Sequence, residues 1–229
     1  MKKLIKKIIA NLSVFSGFLC LYKWISGRNK VTILMYHKIT NDKEIIEKNI
    51  SVKKTEFEKQ IKYISKNYNV ITFRDLDAIL KKEKKLPKNS LIISFDDGYK
   101  DNYTHAYPIL KKYNLPATIF LTTSNLNKKG FLSEKEIIDM QMIDIGTHTV
   151  SHPHLTNIDK EGIKREIKNS KVIIEKNFKN KINVFSYPYG TVNDFNDNIK
   201  KIIKENGFFC AVTSLRGVNS IDDSDLFEL

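Results

Sequence analysis

The 229-residue chain reads as an α/β protein on a parallel sheet, either a barrel or an open sheet. Two observations predict this class. Short apolar, β-branched runs alternate along the chain with stretches of helical periodicity, and strand–helix alternation builds parallel sheets. The polar residues of greatest chemical interest, His37, Asp96, Asp97, His148, His152 and Tyr189, all stand just after such runs. Barrel active sites gather at the carboxyl ends of strands, so one topological place would hold them all.

Residues 1–28 stand apart. Lys2, Lys3, Lys6 and Lys7 precede an apolar run over 8–25 that Asn11, Ser13, Ser16, Gly17 and Lys23 interrupt, which suits a full membrane span poorly. Leu4, Ile8, Leu12, Phe15, Leu19 and Tyr22 fall on one helical stripe. A basic start and an apolar stripe suit an amphipathic helix lying in an anionic membrane surface. A helix packed on the domain is the alternative, and a cleaved signal ranks below both. The expected division is therefore a membrane-associating segment over 1–28 and one globular domain over 29–229, with the protein at the cell envelope.

Within the domain, residues 31–36 read as the first core strand. Helices follow over 55–68, with Phe57, Ile61 and Ile64 inward, and over 73–85, capped by Thr72. Residues 91–95 form a buried strand. A helix over 99–113 carries a kink at Pro108. Strand 117–121, a short helix with a Ser133/Glu136 capping box and strand 142–145 come next. Asp159 caps a long basic helix running to Phe178. Strand 182–185, helix 195–206 and strand 208–213 complete the alternation.

The formal charge is +13. Lysines spread along the chain read mostly as solvated helix faces, with attraction to anionic surfaces as the functional reading. No zinc-finger, RNA-recognition or other nucleic-acid motif is present, so nucleic acid is excluded as a partner. Cys20 and Cys210 make no disulfide framework.

Chemistry centres on Asp96-Asp97-Gly98 at the end of a buried strand. Two adjacent carboxylates there need a cation, a donor or water; taken alone, they make an ordinary Asp-Gly turn. His148 and His152 are spaced so that both imidazoles can meet one ion. A carboxylate completes three ligands and leaves a position open, the layout of a catalytic zinc site. Such a metal acidifies water and polarises a carbonyl, while a carboxylate off the metal takes the water's proton. His154, beyond Pro153, reads as a rim residue, and His105 as exposed or packed mid-helix.

These motifs resemble the polysaccharide deacetylase family with its NodB-homology domain. Ser94-Phe95-Asp96-Asp97-Gly98 resembles the family's first motif, residues 146–153 (Gly-Thr-His-Thr-Val-Ser-His-Pro) the second, and Ser186-Tyr187-Pro188-Tyr189-Gly190 the third. The resemblance covers about 31–213. It implies a distorted (β/α) barrel and metal-dependent removal of acetyl groups from N-acetylated sugars of an envelope or secreted polysaccharide. It implies Asp96 as general base, Asp97, His148 and His152 as ligands of one divalent ion, zinc first, and Tyr187, Pro188 and Tyr189 at the substrate, with the Tyr189 N–H on the oxyanion.

Two departures stand out. Ser186 replaces the arginine that usually opens the third motif, and no late leucine-x-histidine supplies an acid. In a circularly permuted subgroup, resembling the poly-N-acetylglucosamine deacetylases, the acid histidine belongs to an early Tyr-His pair, which Tyr36-His37 matches. The competing functions are an amidase or esterase on a small acylated compound, a phosphoesterase, and a catalytically silent glycan-binding or membrane-associated protein of the same fold.

Overall fold

The structure is a computed structural model that describes residues 29–42 and 50–229. The expected N-terminal amphipathic helix lies outside the described residues. A curled sheet carries the site. Its strands are β1 (Lys30–Tyr36), β4 (Asn69–Val70), β5 (Ser90–Phe95), β6 (Ala117–Leu121), β7 (Ile143–Thr147), β8 (Val184–Ser186), β9 (Cys210–Val212) and β10 (Asn219–Ser220). They run in the order β10-β1-β5-β6-β7-β8-β9, with β4 also paired to β5. Every pair in this sheet is parallel except β1 with β10. The parallel α/β expectation holds in its barrel-like form. Beyond β9, residues 226–229 hydrogen-bond along its free side, Leu229 N–H donating to Ala211 O at 3.1 Å and Thr213 N–H to Leu229 O at 2.7 Å.

Side chains alternate across a strand, and that alternation sorts the core. Val31, Ile92, Phe120, Val184, Cys210 and Val212 face inward. Phe73 and Leu76 of α2 (Phe73–Leu80) pack among them. The opposite faces, Leu91, Ile93, Ile119 and Phe185 among them, meet α1 (Lys54–Asn67), α3 (Tyr107–Tyr113) and α5 (Lys160–Phe178). Counting by twos from the inward positions leads from Ile92 through Ser94 to Asp96, from Phe120 past Leu121 to the strand's end, and from Val184 to Ser186. The inner face therefore delivers its polar residues to the carboxyl end, where the strands stop.

Several boundaries differ from the sequence reading. α2 stops at Leu80, because Lys82 takes a left-handed φ of 62° and the next residues form turns. The helix expected over 99–113 divides into a π-helical turn, Asn102–Ala106, and α3, with Pro108 in the first turn of α3, where its missing N–H costs nothing. α4 (Glu134–Asp139) and α6 (Asp197–Glu205) match the expected short helices. The caps at Thr72, Ser133 and Asp159 all form. Strands β2 (Lys38–Thr40) and β3 (Ser51–Lys53) pair in a separate small sheet, and β4 and β10 are two-residue strands, too short for any periodicity to announce.

Gly146 sits on the inner face of β7, where a Cβ would lie 2.4 Å from the Phe120 ring and 2.9 Å from Val184 Cγ2. Gly146→Ala is expected to destabilise the fold by about 1–3 kcal/mol through overpacking, read as a lower urea midpoint at unchanged m. An unchanged midpoint would contradict this close approach.

Candidate active site

The register brings the site together. Tyr36 pairs with Phe95, so the next residues, His37 and Asp96, are neighbours, and Asp96 N–H donates to Tyr36 O at 2.9 Å. Thr147 pairs with both Leu121 and Phe185, which sets His148 beside Ser186. Asp96 is 3% exposed. Ser186 Oγ donates to its Oδ2 at 3.2 Å, and its Oδ1 is buried with no hydrogen-bond partner among the described residues. Burial pushes its carboxyl up to about 7; the His37 imidazole and the Ser186 hydroxyl pull down, the Asp97 charge up.

Asp97 leaves the strand in a left-handed conformation, φ 71°, followed by Gly98 at 73°. This reversal takes the Asp97 carboxylate out of the strand's alternation and toward the two histidines. Asp97 Oδ1 lies 3.7 Å from His148 Nε2 and 3.6 Å from His152 Nε2, and one ligand atom from each of the three residues lies within 4.8 Å of the others. Those separations are too long for hydrogen bonds. They match the spacing of two ligands that each stand about 2.0–2.1 Å from a tetrahedral ion, roughly 3.4 Å. His148 Nδ1 lies 2.8 Å from Ser186 O, which turns Nε2 toward the cluster, the usual outer support of a metal-bound histidine. Burial lowers the pKa of His148, and burial with the neighbouring His148 lowers that of His152. Both shifts favour the neutral imidazole, the form in which histidine binds a metal. The residues present fit a divalent ion.

The loop between the histidines is strained and braced. Thr149 and His152 have φ of 68° and 58°, unfavourable for a β-branched residue in particular. Thr149 Oγ1 accepts from His152 N–H at 3.0 Å. From α5, Glu166 accepts Val150 N–H and Ser151 N–H at 2.8 and 2.9 Å and the Ser151 hydroxyl at 2.8 Å. On the far side, Tyr189 has φ 63° and stands edge-on to the His152 ring at 4.7 Å.

A family model described as polysaccharide deacetylase matches residues 83–211. The chain belongs to the polysaccharide deacetylase family. YxkH of Bacillus subtilis, whose name places it among the polysaccharide deacetylases, is 33% identical over 204 residues, 87% of this chain and 70% of that protein. A Staphylococcus aureus poly-beta-1,6-N-acetyl-D-glucosamine N-deacetylase is 32% identical over 196 residues, 72% of this chain and 67% of its own length. Among solved structures, the Streptococcus pyogenes deacetylase PplD, in complex with acetate, aligns with a TM-score of 0.79 at 28% identity, covering 87% of this chain and 89% of that one. The expected family and its distorted barrel are therefore present, and the polysaccharide deacetylase matches make this chain a hydrolase of that kind.

Of the residues singled out in the sequence, the deacetylase fold gathers His37, Asp96, Asp97, His148, His152 and Tyr189 at one mouth. Pro188 is buried in the turn beneath them. Tyr187 points the other way: it is 2% exposed and donates its hydroxyl to Phe227 O at 3.0 Å, because it follows inward-facing Ser186 by one residue. Three supports escaped sequence reading. Glu166 is one. Asn102, 2% exposed in the π-turn, donates to His37 O at 2.7 Å. Asp194 is the third: its Oδ1 lies 2.6 Å from His154 Nδ1, and although burial opposes it, hydrogen bonds from Thr191 and His154 hold its carboxyl below the usual range. None carries a local motif.

Glu166→Ala removes every acceptor that the 150–151 backbone uses there. It is expected to weaken divalent-ion affinity by about 10–100-fold, measured by competition with a chromogenic chelator. Wild-type affinity in that variant would show that the loop holds its shape without Glu166.

Proposed function

We propose that this deacetylase removes acetyl groups from an N-acetylated envelope or secreted polysaccharide of the β-1,6-linked N-acetylglucosamine type, using one divalent ion, zinc first, at Asp97, His148 and His152. The observation that carries the reading is the division between two adjacent carboxylates: among the described residues Asp97 converges with the imidazoles, while buried Asp96 has one oxygen without a partner and stays off the cluster. Likeness to the Staphylococcus aureus enzyme supports the substrate class. A silent glycan-binding protein would have no use for an orphaned buried acceptor, which costs about 1–3 kcal/mol.

When bound, the ion supplies Lewis-acid polarisation of the acetyl carbonyl and a more acidic water. Asp96 takes a proton from the attacking water through Oδ1, and Ser186 fixes the carboxylate's other oxygen. The water oxygen bonds to the acetyl carbon, and the Tyr189 N–H, for which no acceptor is found among the described residues, stabilises the negative oxygen that forms. His37, whose charge is felt at Asp96 and whose carbonyl Asn102 holds, gives a proton to the leaving nitrogen as the C–N bond breaks. Acetate and a free amine result. His37 lies outside the stretch matched by the family model, in keeping with a permuted arrangement.

Acetate release from N-acetylated oligosaccharides, with and without chelator, tests the reading. Asp96→Asn is expected to keep the ion and lose about 10²–10⁴ in turnover. His37→Ala should lose most amide hydrolysis and less on an activated aryl ester, whose leaving group hardly needs a proton. Normal turnover in Asp96→Asn would remove the base assignment, and equal losses on both substrates the acid assignment.

Residues 1–28, with their lysine-led apolar stripe, bring the domain over 29–229 to the cell envelope in this reading. No helix among the described residues is long and apolar enough to cross a membrane. The full chain is expected to sediment with anionic vesicles more than with neutral ones, and a chain starting at Lys30 to lose that preference. Equal sedimentation of both chains would contradict it.

A further inference from the structure

Tyr189 occupies a backbone conformation it would not choose unaided. Its φ is 63°, and Gly190 N–H closes a three-residue turn on Pro188 O at 2.7 Å, the rare strained form of the γ-turn. Residues in such conformations persist where surrounding structure over-determines them. One side of the turn is tied to the end of β9: Ser214 N–H donates to Gly190 O at 2.9 Å, and a Cβ on Gly190 would meet Ser214 N at 2.7 Å.

The other side is held by a ring. His154 lies flat on Tyr189, centroids 3.6 Å apart and planes 4° from parallel. The Tyr189 residue is 48% exposed, so the core does not grip this side chain, and the imidazole is its principal partner together with the edge of His152. His154 is in turn fixed through Nδ1 to Asp194 Oδ1 at 2.6 Å. Asp194 is 4% exposed, and its Oδ2 accepts from Thr191 N–H at 2.9 Å and Thr191 Oγ1 at 2.5 Å. Thr156 Oγ1 donates to Asn193 O at 2.9 Å, a second staple between the same segments. The segment after β7, which carries both histidine ligands, is thereby joined to the segment after β8, which carries the turn.

We propose that His154 and Asp194 are positioning residues that hold the Tyr189 turn, so that its N–H points at the acetyl oxygen as negative charge develops there. Neither touches the reacting atoms. The inference rests on the deacetylase reading above and adds to it the device that sets the oxyanion donor. A donor misplaced in this way weakens an interaction made in the transition state and leaves ground-state binding intact, so it acts on kcat.

The test uses the full chain, metal-loaded, with an N-acetylated oligosaccharide, in wild type, His154→Ala, Asp194→Ala and the double variant. The His154 side chain is 44% exposed, so its truncation leaves the core untouched. Each single variant is expected to lose about tenfold or more in kcat, within the roughly 10²–10³ that a whole oxyanion donor supplies. KM should stay within about threefold, and the double variant should lose no more than the worse single one, because the two residues act as a unit. The Tyr189 amide, followed by NMR without substrate, should shift and exchange faster in His154→Ala, a readout independent of activity. Wild-type kcat in His154→Ala would overturn the proposal. So would a raised KM at intact kcat, loss of the metal, additive losses, or an unmoved Tyr189 amide. A wild-type protein that releases no acetate while its Tyr189 amide still responds to His154→Ala would instead unseat the deacetylation reading and leave the brace standing.

Discussion

A carboxylate buried at the mouth of a curled parallel sheet is the constraint on which this structure depends. Asp96 directly follows a strand whose six residues are all buried, and it is itself 3% exposed. An ionised group in such a place must be compensated or neutralised. Here compensation is incomplete among the described residues: one oxygen takes a serine hydroxyl and the other finds no donor. The imidazole of His37 sits close enough to pull the carboxyl down, yet burial dominates. Elsewhere in the family an arginine is expected in the position of Ser186. A hydroxyl leaves more of the burial uncompensated than a guanidinium would, so the carboxyl is held near the neutral range rather than far below it. Ser186 also uses its carbonyl to orient His148, so one short residue sets both the carboxylate and a ligand.

The backbone accommodates this arrangement by changing direction sharply at each strand end. Asp97, Thr149, His152 and Tyr189 all have positive φ, and all lie within the mouth. Each reversal turns a side chain or an N–H out of the alternation that the strand would impose. Without it Asp97 would point away from Asp96 and from the histidines. Such conformations are maintained by neighbours: Glu166 under the 148–152 loop, Asn102 under His37, and Asp194 behind His154.

The main strands and their carboxyl ends were legible because short apolar runs leave a clear pattern, clearest in the fully buried β5 and β6, and because motif residues follow several of them directly. The pairing of His148 with His152 was legible from residue type and spacing, whereas the choice of Asp97 over Asp96 as their partner came only from the family resemblance. The supports were not: Glu166 is one charged residue among many on a lysine-rich helix, Asn102 depends on a π-turn that looks like plain helix in the sequence, and Asp194 meets His154 across 40 residues. The burial of Tyr187 on the opposite face was available in principle, since Ser186, the last residue of β8, and Tyr187 after it must face opposite ways, but a motif read as a block hides that alternation. The two-residue strands β4 and β10 carry no period at all.

The central claim is that Asp97, His148 and His152 hold one divalent ion while Asp96 does not. Anomalous diffraction at the zinc edge from crystals of the zinc-loaded protein tests it most directly. The account predicts a single strong peak about 2.0–2.2 Å from a carboxylate oxygen of Asp97 and from Nε2 of both histidines, with Asp96 beyond bonding distance. A peak ligated by Asp96, or zinc bound elsewhere with these three residues unliganded, would contradict it.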